Sequence, residues 1–234
     1  SEVERAVEDV KRALEENVRL SKELVDRVTK MAEDNVKLTK DIVDKVRRIL
    51  EELVEVIERG GSDDTRRELI DKARRLLRKL RDELKESLDD ARRLLEDIKR
   101  LIEESVKRLR DLLEKIRREK SLPEDLLRLL REVLEELKKI NDELLDAVRR
   151  VLENSARVLE TLLKLIEDVL RELERVTDKD EVRKIVRELV EEAKKVVEYD
   201  TENAKRVVEE LKMSCAQESD VVRKLVELLD RKAR

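Results

Sequence analysis

The sequence predicts an all-α protein, a straight antiparallel up-down-up-down four-helix bundle with very long helices. Half of the 234 residues are charged and 39% are hydrophobic, a composition typical of long amphipathic helices and coiled coils. Two Gly and one Pro are too few for the many turns of a β-sheet protein. Three short breaks divide the chain almost evenly, and loops of this length make neighbouring helices antiparallel.

The first break is Gly60-Gly61-Ser62. Gly is favoured just past the C-terminus of a helix, and the hydroxyl of Ser62 can cap the helix that follows. Asp63 and Asp64 then place negative charge at the positive end of that second helix. This break therefore separates two helices.

The second and third breaks carry the signals of a helix start. Ser121 and Glu124 match a capping box, with Pro123 in the first turn of the third helix. Asp178 is a suitable cap for the last helix, with Glu181 three residues later. The breaks place the four helices at about 2–59, 63–120, 122–176 and 179–233.

The apolar residues of each helix follow steps of three and four, which is the spacing of a bundle core. In the first helix they form a seam of Val3, Val7, Val10, Leu14, Leu24, Val28, Met31, Leu38, Ile42, Val46, Ile49, Leu53 and Val56. Asn17 and Ser21 interrupt this seam, and Asn35 and Thr39 interrupt it again eighteen positions later. Eighteen residues are five turns of an undistorted helix, so the repeat predicts a bundle without supercoiling.

Folding the chain at its loops brings the polar interruptions of all four helices to the same two heights. Buried amides and hydroxyls must be paired, so matched layers would specify which helix lies where and in what register. The alternative is that these residues lie at the edge of the seam and touch water. The first predicted layer is Asn17, Ser21, Ser105, Asn141 and Ser214, and the second is Asn35, Thr39, Ser87, Asn154, Ser155 and Asn203.

The composition excludes most kinds of enzyme. The chain has no His and one Cys, so it lacks the ligand sets of zinc, haem and iron–sulfur sites and the base of a Ser–His or Cys–His pair. Acids and bases alternate, which leaves no basic face for nucleic acid. No apolar run reaches the roughly 18 residues of a membrane span, and the first residues do not resemble a signal peptide. We expect a soluble protein, cytoplasmic when expressed, without catalytic residues, metal or cofactor.

One segment of the last helix differs in composition from the rest. Residues 213–219 contain the only Cys, the only Gln and one of the two Met of the chain. The repeat of eighteen positions predicts that Ser214 and Cys215 point inward. Glu218 shares the phase of Asp200, and two acids near the seam should weaken the docking of this helix. The residues expected toward the flanks or solvent are Met213, Ala216 and Gln217.

This segment resembles the degradation signal near the C-terminus of vertebrate ornithine decarboxylase, and it reads Met213-Ser214-Cys215-Ala216-Gln217-Glu218-Ser219. All seven residues match and Leu211 also fits, while Lys212 stands where that family has Pro. The resemblance implies that Cys215 and Ala216 are the critical pair. It also implies that the proteasome takes up the exposed segment without ubiquitin, as a flexible tail. In the structural alternative, Cys215 is a small buried hydrophobe.

The remaining chain resembles the designed latch–cage–key (LOCKR) switches, in the variant that carries a caged degradation signal, or degron. Minimal loops, well-placed caps and a regular core agree with the rules of protein design. The resemblance implies a single domain, 1–234, with a three-helix cage at 1–176 and a latch helix at 177–234 that sequesters the degron. A separate key helix resembling residues 179–234 would release the degron to the proteasome. We expect a synthetic monomer.

Two other functions fit the same helices. A static designed bundle would carry the segment as passive cargo, and an added key helix would then change nothing. A protein that lies on lipid surfaces also uses amphipathic helices. The repeat of eighteen positions, the inward polar layers and the missing Phe and Trp speak against the lipid-surface function.

Overall fold

The fold is all-α, as predicted. The structure, a computed structural model, describes residues 2–118, 122–175 and 178–233. These residues form four helices of 57, 56, 52 and 55 residues and no strand. The helices are α1 (Glu2–Glu58), α2 (Asp63–Arg118), α3 (Glu124–Arg175) and α4 (Lys179–Ala233). Their number and orientation fit a four-helix bundle.

The end of α1 is closed by the two glycines. The amide of Gly60 donates to the carbonyl of Ile57 (3.3 Å) and that of Gly61 to the carbonyl of Val56 (3.2 Å), the pattern of a Schellman motif. Gly60 has a φ of 69°, a left-handed conformation that costs other residues free energy. The predicted role of this break is therefore confirmed.

The starts of α2 and α4 are capped by the expected side chains. Ser62 Oγ accepts a hydrogen bond from the amide of Thr65 (3.2 Å), and Asp178 Oδ1 accepts one from the amide of Asp180 (3.3 Å). These bonds satisfy amides that have no partner within the helix.

The start of α3 differs from the prediction. The helix begins at Glu124 and not at residue 122, because the carbonyl of Pro123 accepts the first helical hydrogen bond, from the amide of Leu127 (3.2 Å). Pro123 therefore precedes the first turn and does not lie within it. The predicted cap, Ser121, lies outside the described residues.

The chain forms two compact units, and each contains a part of all four helices. Unit 1 comprises Ser1–Lys30, Arg93–Val151 and Val207–Arg234, and unit 2 comprises Met31–Arg92 and Leu152–Arg206.

Unit 1 has an apolar core to which all four helices contribute, as the buried side chains of Leu14, Leu109, Leu130 and Leu229 illustrate. Ion pairs join neighbouring helices around this core. They are Glu16–Arg108 (3.8 Å) between α1 and α2, Arg150–Glu210 (3.6 Å) between α3 and α4, and Lys11–Asp230 (2.9 Å) between α1 and α4. In this unit α4 thus packs directly on α1.

Unit 2 has a core of the same kind, with Leu50, Leu84, Leu159 and Val186 drawn from the four helices. The ion pair between Arg92 and Glu160 (3.4 Å) joins α2 to α3, and that between Glu58 and Arg183 (3.1 Å) joins α1 to α4. In this unit, too, α4 packs on α1.

The buried residues of α1 follow the repeat of eighteen positions, and they differ from the predicted seam at two points. Ala32 and Leu50 are buried, whereas Met31 and Ile49, which the predicted seam contained, are only half-buried. Ala32 lies one full repeat after the buried Leu14, and Leu50 lies one full repeat after Ala32. Five whole turns return the chain to the same face, so these positions and not their neighbours point at the core.

Candidate functional site

Residues 213–219, the degron-like segment, lie entirely within α4, and the helix gives them an inner and an outer face. On the inner face, Cys215 is 8% exposed and Glu218 has no exposed surface. On the outer face, Met213 is 61% exposed. The half-buried residues are Ser214 and Ser219, and the other exposed residues are Ala216 and Gln217.

The Glu218 carboxyl is held by one hydrogen bond from α1. Ser21 Oγ donates to Glu218 Oε1 at 2.8 Å, while Glu218 Oε2 has no partner among the described residues. Burial raises the pKa of Glu218 to about 7, and the bond from Ser21 opposes this rise. Desolvation is the larger effect because a single bond does not replace the hydration of a carboxylate.

The thiol of Cys215 lies in surroundings that disfavour its ionised form. Burial raises the pKa of the thiol, and the charge of Glu218, three residues along the helix, adds to that rise. The charge of Lys22 lowers the same pKa and that of Asp26 raises it. Because the thiolate is the reactive species, these surroundings make the Cys215 thiol poorly reactive.

Asp200 repeats the situation of Glu218 in unit 2. Its side chain is 3% exposed, and burial raises the pKa of its carboxyl to about 6. A hydrogen bond with the Thr39 hydroxyl and the charge of Lys40 both lower that pKa. Two acidic side chains of α4 are therefore buried against hydroxyls of α1.

The first predicted polar layer is present in part. Asn17 and Asn141 are buried, and Asn17 Nδ2 donates to Asn141 Oδ1 at 3.2 Å. Ser21 is buried but pairs with Glu218 and not with another layer residue. Ser105 and Ser214 are only half-buried. These two residues therefore do not lie fully inside the predicted layer.

The second predicted layer contains more of the expected contacts. Ser87 Oγ donates to Asn35 Oδ1 at 2.9 Å, and Asn203 Nδ2 donates to Asn154 Oδ1. Thr39 Oγ1 donates to the carbonyl of Asn35 at 2.7 Å. The buried members are Asn35, Thr39, Asn154 and Ser155, whereas Ser87 and Asn203 are half-buried.

Asp200 and Glu218 were not among the predicted layer residues, although each meets a hydroxyl of a layer residue. The signal that could have found them is their spacing, since one full repeat separates the two acids and one full repeat also separates Ser21 from Thr39. In an antiparallel pair of helices, equal spacings allow both acids to meet both hydroxyls.

No group of Cys, Asp and Glu side chains within the described ranges could hold a metal ion. None of the helices described is long and apolar enough to cross a membrane.

No model of a protein family matches this chain, and no curated protein matches it. Among solved structures, the chain is similar to a computationally designed three helix bundle. The two share 19% sequence identity with a TM-score of 0.43, over 96% of this chain and 93% of that chain.

Proposed function

We propose that the chain is a designed switch in which α4 is a latch that keeps a degron closed until a key helix displaces it. The cage is residues 1–176 and the latch is residues 177–234. The observation that carries the proposal is the burial of Cys215, since the degradation signal that this segment resembles depends on that Cys and the Ala after it. The runner-up is a static bundle in which the segment has no activity.

The docked latch withholds the degron in two ways. The Cys215 side chain is packed inside unit 1, where a receptor cannot reach it. The backbone of residues 213–219 is hydrogen-bonded in a helix, whereas the degradation signal works as an extended tail. Exposed Ala216 alone does not supply the critical pair.

A key helix resembling residues 179–234 opens the switch by competing for the groove that α4 occupies. The latch is tethered, so it competes at an effective concentration of order millimolar. The key shifts the equilibrium only by its preference for the open cage over the closed one. Leaving the groove returns Asp200 and Glu218 to water, which favours opening.

Several features of the sequence support a synthetic origin. Short capped loops, a regular core repeat of five helical turns and the absence of His, Phe and Trp agree with design rules at every level. In this proposal the chain is a monomer that works in the cytoplasm of the cell that expresses it, and its partners are the key helix and the proteasome.

The proposal is tested by the cellular lifetime of a fluorescent reporter fused in front of the chain. The key is residues 179–234 with Cys215→Val, so that the key itself lacks the critical Cys. We expect co-expressed key to shorten the reporter's lifetime, and a proteasome inhibitor to restore it. Cys215→Ala in the full chain should abolish the effect. A lifetime that does not change with the key would support the static bundle.

A further inference from the structure

Two carboxyl groups of α4 are buried against hydroxyl groups of α1, Glu218 against Ser21 in unit 1 and Asp200 against Thr39 in unit 2. We propose that protons are ligands of the closed state: docked α4 takes up protons at Asp200 and Glu218, so that a key displaces the latch more readily as the pH rises. This inference rests on the proposed function, because it names a second regulator of the same latch.

The Thr39 hydroxyl lowers the pKa of Asp200 only by donating its hydrogen to that carboxyl, and the structure shows this hydrogen donated elsewhere. The Thr39 hydroxyl has one hydrogen, which it donates to the carbonyl of Asn35 at 2.7 Å. In that state Thr39 can only accept a hydrogen bond from Asp200, and an acidic side chain donates only when it is protonated. To donate to an ionised Asp200, the hydroxyl must turn away from Asn35, which leaves the Asn35 carbonyl without its side-chain donor.

Glu218 is incompletely paired in its ionised form. Oε1 accepts the bond from Ser21, but Oε2 is buried and has no partner among the residues described. A buried carboxylate needs several donors to replace its hydration, and removal of the charge by a proton takes away most of that cost. The geometry of this site therefore also favours the neutral carboxyl.

The groups that face Asp200 do not neutralise it fully. Burial, the largest effect, disfavours the ionised carboxyl of Asp200, whereas the Thr39 hydroxyl and the charge of Lys40, both on α1, favour it. At this level, α2 contributes Ser87 and α3 contributes Asn154, and both side chains are uncharged.

At Glu218, burial raises the pKa and the Ser21 hydroxyl of α1 lowers it, and burial is the larger effect. From α1, Lys22 and Asp26 act on the neighbouring thiol of Cys215 with opposite signs. From α3, the residue of the first polar layer is the uncharged Asn141, which pairs with Asn17. The Cys215 thiol on α4 itself is neutral, since its pKa is raised.

The sign of the pH effect follows from these positions. Burial raises the pKa of Asp200 to about 6 and that of Glu218 to about 7, above their ordinary values of 3.8 and 4.5. Docking is therefore strongest below the ordinary values, and it weakens as the pH rises through about 6 to 7. One pKa unit corresponds to about a tenfold change in an equilibrium constant, so the two carboxyls together should change the opening constant by more than about tenfold.

The test measures binding of a fluorescent key peptide to the full chain by anisotropy, at about pH 5 and about pH 8. The peptide is residues 179–234 with Asp200→Asn and Glu218→Gln, so that these positions of the key do not titrate. We expect its apparent affinity for the unchanged chain to be at least about tenfold higher at the higher pH. At the higher pH, the chain variant Asp200→Asn/Glu218→Gln should bind the key more weakly than the unchanged chain does. Its affinity for the key should depend little on pH.

A matched control is Glu202→Gln/Glu227→Gln, which removes two exposed acids from the same helix. This control should keep the full pH dependence. An equal pH dependence in the unchanged chain and in Asp200→Asn/Glu218→Gln would overturn the inference.

If the key fails to bind at either pH, the proposed switching fails, and the proton uptake is decided separately by urea unfolding of the full chain. Loss of stability with rising pH in the unchanged chain, but not in Asp200→Asn/Glu218→Gln, supports proton uptake by docked α4. Parallel stability profiles of the two proteins overturn it.

Discussion

Ser21 Oγ lies 2.8 Å from Glu218 Oε1, so a hydroxyl of the first helix holds an acidic side chain of the degron-like segment away from water. Such a contact stabilises the docked helix only in part, because the second carboxyl oxygen has no partner among the described residues. The Glu218 carboxyl is therefore buried at a cost in free energy.

Glu218→Gln should stabilise the full chain at about pH 8 by about 1–3 kcal/mol and by much less at about pH 5. The raised pKa means that the unchanged carboxyl is protonated in the folded state at the lower pH, and that its charge is buried at the higher pH. The measurement is urea unfolding followed by circular dichroism. Glu227→Gln, at an exposed position, is the control. An equal gain at both pH values would show that burial of the charge is not the cause.

Asn17→Ala should destabilise the chain by about 1–3 kcal/mol, because it leaves the buried Asn141 amide without a partner. The double variant Asn17→Leu/Asn141→Leu removes both amides and should cost less than the two single Leu variants added together. A double-mutant cycle of unfolding free energies measures this coupling. Strict additivity would mean that the two amides do not interact.

Leu211→Ala should cost about 2–5 kcal/mol, because the Leu211 side chain is fully buried just before the degron-like segment. Leu228→Ala, at a partly exposed position of the same helix, should cost less than about 1 kcal/mol. Thermal and urea unfolding compare the two variants. Similar losses would indicate that the helix is not seated on its apolar seam.

Gly60→Ala should destabilise the chain by about 1–2 kcal/mol, since Gly60 has a left-handed backbone with a φ of 69°. The space around it is open, so the cost comes from the backbone and not from a clash. Gly60→Asn should recover part of the loss, because Asn tolerates this conformation better than Ala. Equal stability of the Ala and Asn variants would contradict this explanation.

Much of the fold could be predicted from the sequence. Capping residues and breakers identified the four helices within a few residues, because a cap acts on the first or last turn of its own helix. The sequence predicts Pro123 in the first turn of α3, but Pro123 lies just before the helix, because Pro is tolerated at either position. The matched heights of Asn35 and Ser87 also followed from loop position alone.

The buried acids could not be predicted in the same way. Asp and Glu are almost never fully buried unless paired, so Asp200 and Glu218 suggested only weakened docking at the seam edge. Only the packing of α1 against α4 in each unit brings Thr39 and Ser21 to these carboxyls. Ser105 and Ser214 are less buried than predicted, because a small rotation about the helix axis changes the burial of a residue at the edge of the seam.

The most direct test of the caged degron is the rate at which a water-soluble thiol reagent labels Cys215, at one fixed pH, with and without a key helix. The key, residues 179–234 with Cys215→Val, carries no thiol of its own. We expect slow labelling of the chain alone, at a small fraction of the rate in urea, and much faster labelling when the key is added. Labelling of the chain alone as fast as in urea would contradict the caged degron, and slow labelling that no key accelerates would contradict the switch.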